Sequence, residues 1–280
     1  MKRTNLHETR TIVPVGLALT CGLLILALVG GGVTMTRGQD VLAQPVIVPQ
    51  FWDDFEQERT ILDVLPVDFS RWTGYEFMPP GARNRIELTT DTASSGNHAM
   101  KFYAVPSTAS SVAKADLEKI PLDLRRGQTI MFLGSFFIVG NDNIEGLFIC
   151  DIEGPPDISR PGIRLMFTGG DDYLAVERGK FGLPPVVQPQ DSAVRFPRNR
   201  WVKVKWYVKL SQGADGAIEL WQDDQKIISQ QGVVTMPSDV PPFLVGTDGA
   251  YTEWQVGITA NTRKSDVLLY ADDVGIALIQ

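Results

Sequence analysis

The sequence predicts an all-β protein, a two-sheet antiparallel sandwich preceded by one N-terminal apolar helix, and three observations carry that expectation. Short alternating segments recur between Gly, Pro and Asp breaks, one hairpin is spelled out in full, and helical periodicity is absent beyond the N-terminal segment. The hairpin is the clearest. Val202, Val204, Trp206, Val208 and Leu210 take one side of a strand while Lys203, Lys205, Tyr207 and Lys209 take the other, because side chains alternate with period two. Ser211–Gly216 then supplies the glycines and aspartate of a tight turn, and Ala217–Trp221 alternates again. Many short strands with glycine-rich turns and no helices are the pattern of a jelly roll.

In chain order, the first element is membrane-targeting. Lys2, Arg3 and Arg10 precede an almost charge-free stretch over 11–36, long enough at about 1.5 Å per residue to cross a hydrocarbon core. The basic flank stays inside. Two outcomes remain open: a retained single-pass anchor, or a long signal cleaved after Ala43 to release a secreted protein; the C-terminal part is extracytoplasmic in both. Residues 37–50, with Pro45 and Pro49, read as a linker, and 51–280 as the sandwich. Strands are expected at 51–56, 85–88, 95–102, 112–118, 129–139, 147–153, 163–168, 173–178, 201–210, 217–221, 251–260 and 267–279. The proline-rich 179–199 segment and the 235–250 segment read as long loops, the former lying across a sheet as a lid.

Composition narrows the function. A net charge of -7 argues against a nucleic-acid partner, which needs a basic footprint. Cys21 lies in the apolar segment and Cys150 on a core-facing strand position, so they form no disulfide. His7 and His98 are too few for a multi-histidine metal site, and His98, in a Ser-Gly-Asn-His-Ala turn, reads as a hairpin residue and not a catalytic base. No cofactor is required by any motif.

The Trp201–Ile228 hairpin, together with Phe51-Trp52-Asp53-Asp54-Phe55-Glu56 and Trp72 further on, resembles the concanavalin A-like sandwiches, notably polysaccharide lyases of the heparin lyase I-like and alginate lyase-like types. That resemblance implies a polysaccharide or cell-envelope glycan as partner, bound on the concave sheet. Lyases of this kind carry Arg-x-Glu-x-Arg, Gln-x-His and Lys-x-Gly-x-Tyr strands. The matching positions here are Lys114-Ala115-Asp116-Leu117-Glu118, Asp151-Ile152-Glu153 and Gln255-Val256-Gly257-Ile258-Thr259. The catalytic positions are therefore altered. β-Elimination needs the uronate carboxylate neutralised and a base in reach, and acidic residues with Glu153 and Thr259 are poor replacements. In an active lyase, Tyr207 or Lys205 is the candidate for a substitute base. The alternative enzyme reading is a laminarinase-type glycoside hydrolase, whose carboxylate motif survives only as Asp151 and Glu153.

The leading expectation is thus an exported, membrane-anchored sandwich that binds polysaccharide without efficient catalysis, with an active lyase or hydrolase and a protein-binding accessory subunit of an envelope complex as alternatives. Ligand contacts are expected from the non-core positions Lys114, Asp116, Glu118, Arg164, Lys203 and Gln255, and from Trp72 and Tyr75 as loop-borne stacking aromatics, although a core-capping Trp72 is the competing reading. Asp53, Asp54, Asp272 and Asp273 are carboxylate pairs on first and last strands, where the resemblance implies a structural calcium; two solvated turns are the other reading.

Overall fold

The computed structural model describes residues 45–79, 82–108, 110–154, 162–170, 172–238 and 250–280. The N-terminal apolar segment, the cleavage position after Ala43 and most of the 235–250 loop lie outside them. Among the described residues no helix is long and apolar enough to cross a membrane.

The chain runs through β1 (Ile47–Asp53), a one-turn helix α1 (Ile61–Val64), β2 (Gly74–Met78), β3 (Arg85–Thr89), β4 (Ala99–Ala104), β5 (Ala113–Lys119), β6 (Leu124–Arg125), β7 (Thr129–Ile138) and β8 (Leu147–Glu153). It continues through β9 (Gly162–Thr168), β10 (Tyr173–Glu177), β11 (Trp201–Lys209), β12 (Ala217–Gln222), β13 (Gln225–Gln231), β14 (Ala250–Tyr251), β15 (Glu253–Asn261) and β16 (Val267–Ile279). The large sheet has the order β13-β12-β11-β7-β16-β4-β3 with β1 also on β16, and the small sheet the order β10-β9-β8-β15-β5-β2. All pairings are antiparallel. The protein is a jelly-roll sandwich.

The alternation read from the sequence is what closes it. Val202, Val204, Trp206 and Val208 of β11 turn inward beside Ile130, Phe132, Phe136 and Ile138 of β7, all fully buried. From the small sheet come Ala115 and Leu117 of β5, and Trp254, Val256 and Ile258 of β15. Trp254 is the hub: its ring centroid lies 5.2 Å from that of Trp72 and 5.6 Å from that of Phe132, joining both sheets. Edge and tilted arrangements at these distances suit the ring quadrupoles. Its indole N–H points at Sγ of the buried Cys150, 3.3 Å away.

Three local features depart from the expectation. β1 starts at Ile47, within the stretch read as linker, because its backbone pairs along the last strand, Ile47 opposite Ile279 and Asp53 opposite Val274. Tyr75 lies on strand β2, not a loop, held by pairing with Leu117 of β5. The 179–199 segment reaches a sheet face only through its first turn, where Lys180 meets Glu153. It runs along edge strand β10, making backbone bridges Val176–Val186 and Tyr173–Arg195, and buries Phe196 against Phe167. Gln222 of β12 donates to the Arg195 carbonyl at 2.9 Å, so the segment seams the open side between the sheets.

Candidate functional site

Period-two alternation sends every second residue of the small sheet away from the core, and antiparallel register lines these residues up across the strands. One continuous row results: Gly74, Glu118, Gln255, Asp151, Arg164 and Glu177, on β2, β5, β15, β8, β9 and β10. A second row on one side holds Glu76, Asp116 and Gly257, and a third on the other holds Glu253, Glu153 and Gly162. Gly257 has φ +127, and a Cβ there would lie 2.7 Å from the Phe102 ring, so the bulge in β15 accepts only glycine.

These polar groups are linked across the strands. Gln255 donates through Nε2 to Glu253 Oε1 at 2.6 Å and to Glu118 Oε1 at 3.3 Å, and Thr259 Oγ1 donates to Asp151 Oδ1 at 2.7 Å. Arg164 Nε donates to Glu177 Oε2 at 2.9 Å while its guanidinium lies 4.1 Å from the Phe148 ring centroid. Lys114 Nζ donates to Glu76 Oε2 at 2.7 Å. Lys180, delivered by a short 3-10 turn at Gly179–Phe181, is ion-paired with Glu153. Being non-core does not make these residues exposed: Asp116, Asp151, Glu153, Glu253, Gln255 and Thr259 are all buried.

Burial and crowding set the proton affinities. Burial drives the Asp116 carboxyl well above the usual carboxylate range; Lys114 opposes this, and Glu76, Glu118 and Asp151 reinforce it. Neither Asp116 oxygen has a hydrogen-bond partner, nor does Gln255 Oε1. Glu153 is pushed up to about 7 by burial and by the charge of Asp151, against the pull of Lys180. Burial works against the ammonium of Lys114, yet Asp116, Asp151 and Glu76 together hold it above the ordinary lysine range. Oxygens of Glu76, Asp116 and Glu118 lie within 4.8 Å of one another, a spacing at which carboxylates can share a hard cation. Lys114 already supplies a positive charge to that cluster.

The structure thus gathers Lys114, Asp116, Glu118, Asp151, Glu153, Arg164 and Gln255 on one sheet face. It puts Lys203, Lys205 and Tyr207 elsewhere, on β11 of the large sheet, where Lys205 pairs with Asp224 at 3.2 Å. Those three cannot act on a sugar seated on the small sheet, since the whole core lies between. Trp72 is fully buried and donates to Asp53 Oδ2 at 2.9 Å, which makes it a core cap. Tyr75 is exposed, but by strand parity it points off the opposite side of β2 from Glu76, with its ring against Phe77.

The four calcium candidates fall into separate networks. Asp53 Oδ1 accepts from Phe55 N and Arg71 Nη2, and Asp54 accepts from Glu56 N. Asp272 Oδ2 accepts from Ser94 N and Ser95 N, and Asp273 Oδ1 from Ser95 Oγ. Residues missed by the sequence reading include Glu76, Glu177 and Lys180. Glu177 follows from the same alternation that gave Arg164, but Glu76 and Lys180 come from β2 and from a loop turn that carry no periodic signal.

A buried jelly-roll core under a transverse row of carboxylate, amide and guanidinium groups defines a sandwich with a polar face suited to an extended polar polymer. The chain belongs to the polysaccharide lyase family, whose sequence pattern, described as Polysaccharide lyase, matches residues 64–275. Its fold is similar to that of an endo-beta-1,4-glucuronan lyase from the fungus Trichoderma reesei, with TM-score 0.59 and 13% identity over 81% of this chain and 94% of the other. It is also similar to that of a cellulose induced protein, with TM-score 0.57 and 15% identity over 81% and 96% of the two chains. No curated protein matches the sequence.

Proposed function

We propose that the polar face of the small sheet binds a polysaccharide chain and does not eliminate across it efficiently. The observation that carries this is the occupancy of the cations on that face: Arg164 is committed to Glu177, Lys114 to Glu76 and Lys180 to Glu153. A uronate carboxylate placed there meets Glu118 and Asp151 with no uncommitted cation among the residues of the face named above to neutralise it, so its C5 proton stays weakly acidic. Among the described residues the face also lacks a histidine, and its one tyrosine, Tyr173, stands at the β10 edge opposite Thr168. Family membership and the polar row support glycan binding; the mismatch of charges supports weak turnover and a preference for uncharged sugars. An exported protein, tethered or secreted through the 11–36 segment, fits an extracytoplasmic glycan as the ligand.

One observation favours a second reading. Glu153, with its proton affinity near neutrality and Lys180 beside it, is a serviceable acid-base pair. Incubation of the full chain with a panel of uronate polymers, followed by the ultraviolet absorbance of the unsaturated product, separates the two. The expected result is binding with little or no product. Strong product formation that disappears in Glu153→Gln establishes the second reading and overturns the first.

A further inference from the structure

The outer face of the large sheet carries a cleft distinct from the polar face of the small sheet, the glycan groove of the proposed function. It has a volume of about 280 Å³, and its lining includes Trp52, Ser135, Lys203, Lys205, Asp224 and Asp273. Trp52 sits opposite Gly275 in the β1–β16 register, and a Cβ at Gly275 would fall 2.4 Å from the indole Cε3. Glycine therefore lets the ring lie down on the sheet, one face against β16. The residue stays 48% exposed even though indole burial is strongly favourable. A purely apolar cleft of about 220 Å³, lined by Ile47, Met131 and Ala277 among others, continues from the same ring.

The polar rim is of mixed sign. Lys205 Nζ and Asp224 Oδ1 stand 3.2 Å apart, offering a donor and an acceptor at the spacing of neighbouring hydroxyls. Asp273, held at φ +51, keeps its carboxylate at the rim by accepting from Ser95 Oγ. Lys203 is exposed and has no ion-pair partner among the described residues. A flat aromatic face beside paired donors and acceptors is complementary to the axial C–H face and equatorial hydroxyls of a pyranose. Two lysines against two aspartates give no net preference for an acidic sugar. On its other side the ring borders the apolar cleft, so the polar groups that fix a sugar's hydroxyls come from the Lys203, Lys205 and Asp224 side alone.

We propose that this cleft is a second polysaccharide-binding site, which stacks an uncharged hexopyranose residue on Trp52 and holds its hydroxyls with Lys203, Lys205 and Asp224. It shares with the groove only the chemical class of ligand. The two sites face opposite ways, so one short oligosaccharide cannot fill both, whereas a long polymer can engage them on different strands and gain avidity.

The test uses the full chain with cellohexaose and hydroxyethyl cellulose as probes and alginate as the charged comparator. The indole N–H resonance of Trp52 is assigned by its loss in Trp52→Phe. Cellohexaose should shift that resonance in the wild type and equally in the groove variant Arg164→Ala. Trp52→Ala should weaken retardation in gels containing hydroxyethyl cellulose by roughly 3- to 10-fold, the range expected for one stacking contact, and Lys203→Gln should weaken it less. A Trp52 resonance unmoved at saturating cellohexaose, no retardation by hydroxyethyl cellulose, or tighter response to alginate overturns the proposal. So does a Trp52→Ala protein whose sedimentation mass falls, which would make the cleft an interface between copies. If Trp52 responds while Arg164→Ala leaves binding unchanged, the groove reading fails and this one stands; a silent Trp52 with binding lost in Arg164→Ala is the reverse.

Discussion

Glu153 and Arg164 show how one residue's surroundings decide its use. The folded protein holds the Glu153 proton up to a pKa of about 7, above the ordinary glutamate value, through burial and Asp151. A raised carboxyl contributes stability that is full below the unfolded pKa and is lost as pH rises through the folded one. Denaturant midpoints should therefore fall between about pH 4.5 and 7, and Glu153→Gln should flatten that decline. An unchanged slope in the variant would assign the pH dependence to other groups, such as Asp272, which burial lifts to about 6. Arg164 is sandwiched between Phe148 and Glu177. Arg164→Ala should cost about tenfold in glycan affinity measured by calorimetry, and Arg164→Lys should recover only part, because an ammonium lacks the planar fork. Equal affinity for all three proteins would remove Arg164 from the site.

The first and last strands form the element on which the rest of the sandwich is fastened. β1 lies along β16, and Asp53 at its end collects Arg71, Trp72 and the Phe55 backbone. Trp72→Phe keeps the ring stack with Trp254 but removes a donor from a buried carboxylate, so urea unfolding should show a loss of about 1–3 kcal/mol. Trp72→Ala also opens a cavity and should lose about 3–5 kcal/mol. Losses below 0.5 kcal/mol in both, well under the roughly 1 kcal/mol of an ordinary point mutation, would contradict the core-cap role. At the same end of this seam, one residue before the Asp53–Val274 pair, we propose the structural calcium for Asp272 and Asp273 beside Ser94 and Ser95, since Asp53 is already neutralised by the Arg71 guanidinium. Millimolar calcium should raise the melting temperature and a chelator should lower it without loss of glycan binding; no shift in either direction would dismiss the ion. Strands with clean alternation, such as β5, β11 and β15, were legible because one face is core along their whole length. β13 was not, because a bulge opposite Leu220 and Trp221 buries Ile227 and Ile228 in succession and breaks the period.

For the whole molecule, local order along the chain determined a great deal: an all-β sandwich and the inward and outward sets on most strands, both consequences of period-two side-chain alternation and turn chemistry. Parity tells which residues leave the core but not through which sheet they leave, because sheet membership depends on pairings between strands far apart in the chain. Glu118, Gln255, Asp151 and Arg164 became neighbours only through the order β9-β8-β15-β5, while Lys203, Lys205 and Tyr207, of the same parity class, went to the opposite side. Burial was likewise a tertiary decision: Trp72 turned inward because Asp53 and Trp254 meet it there, and Trp52 stayed outside because Gly275 across the strand pair lets its ring lie flat on the sheet surface.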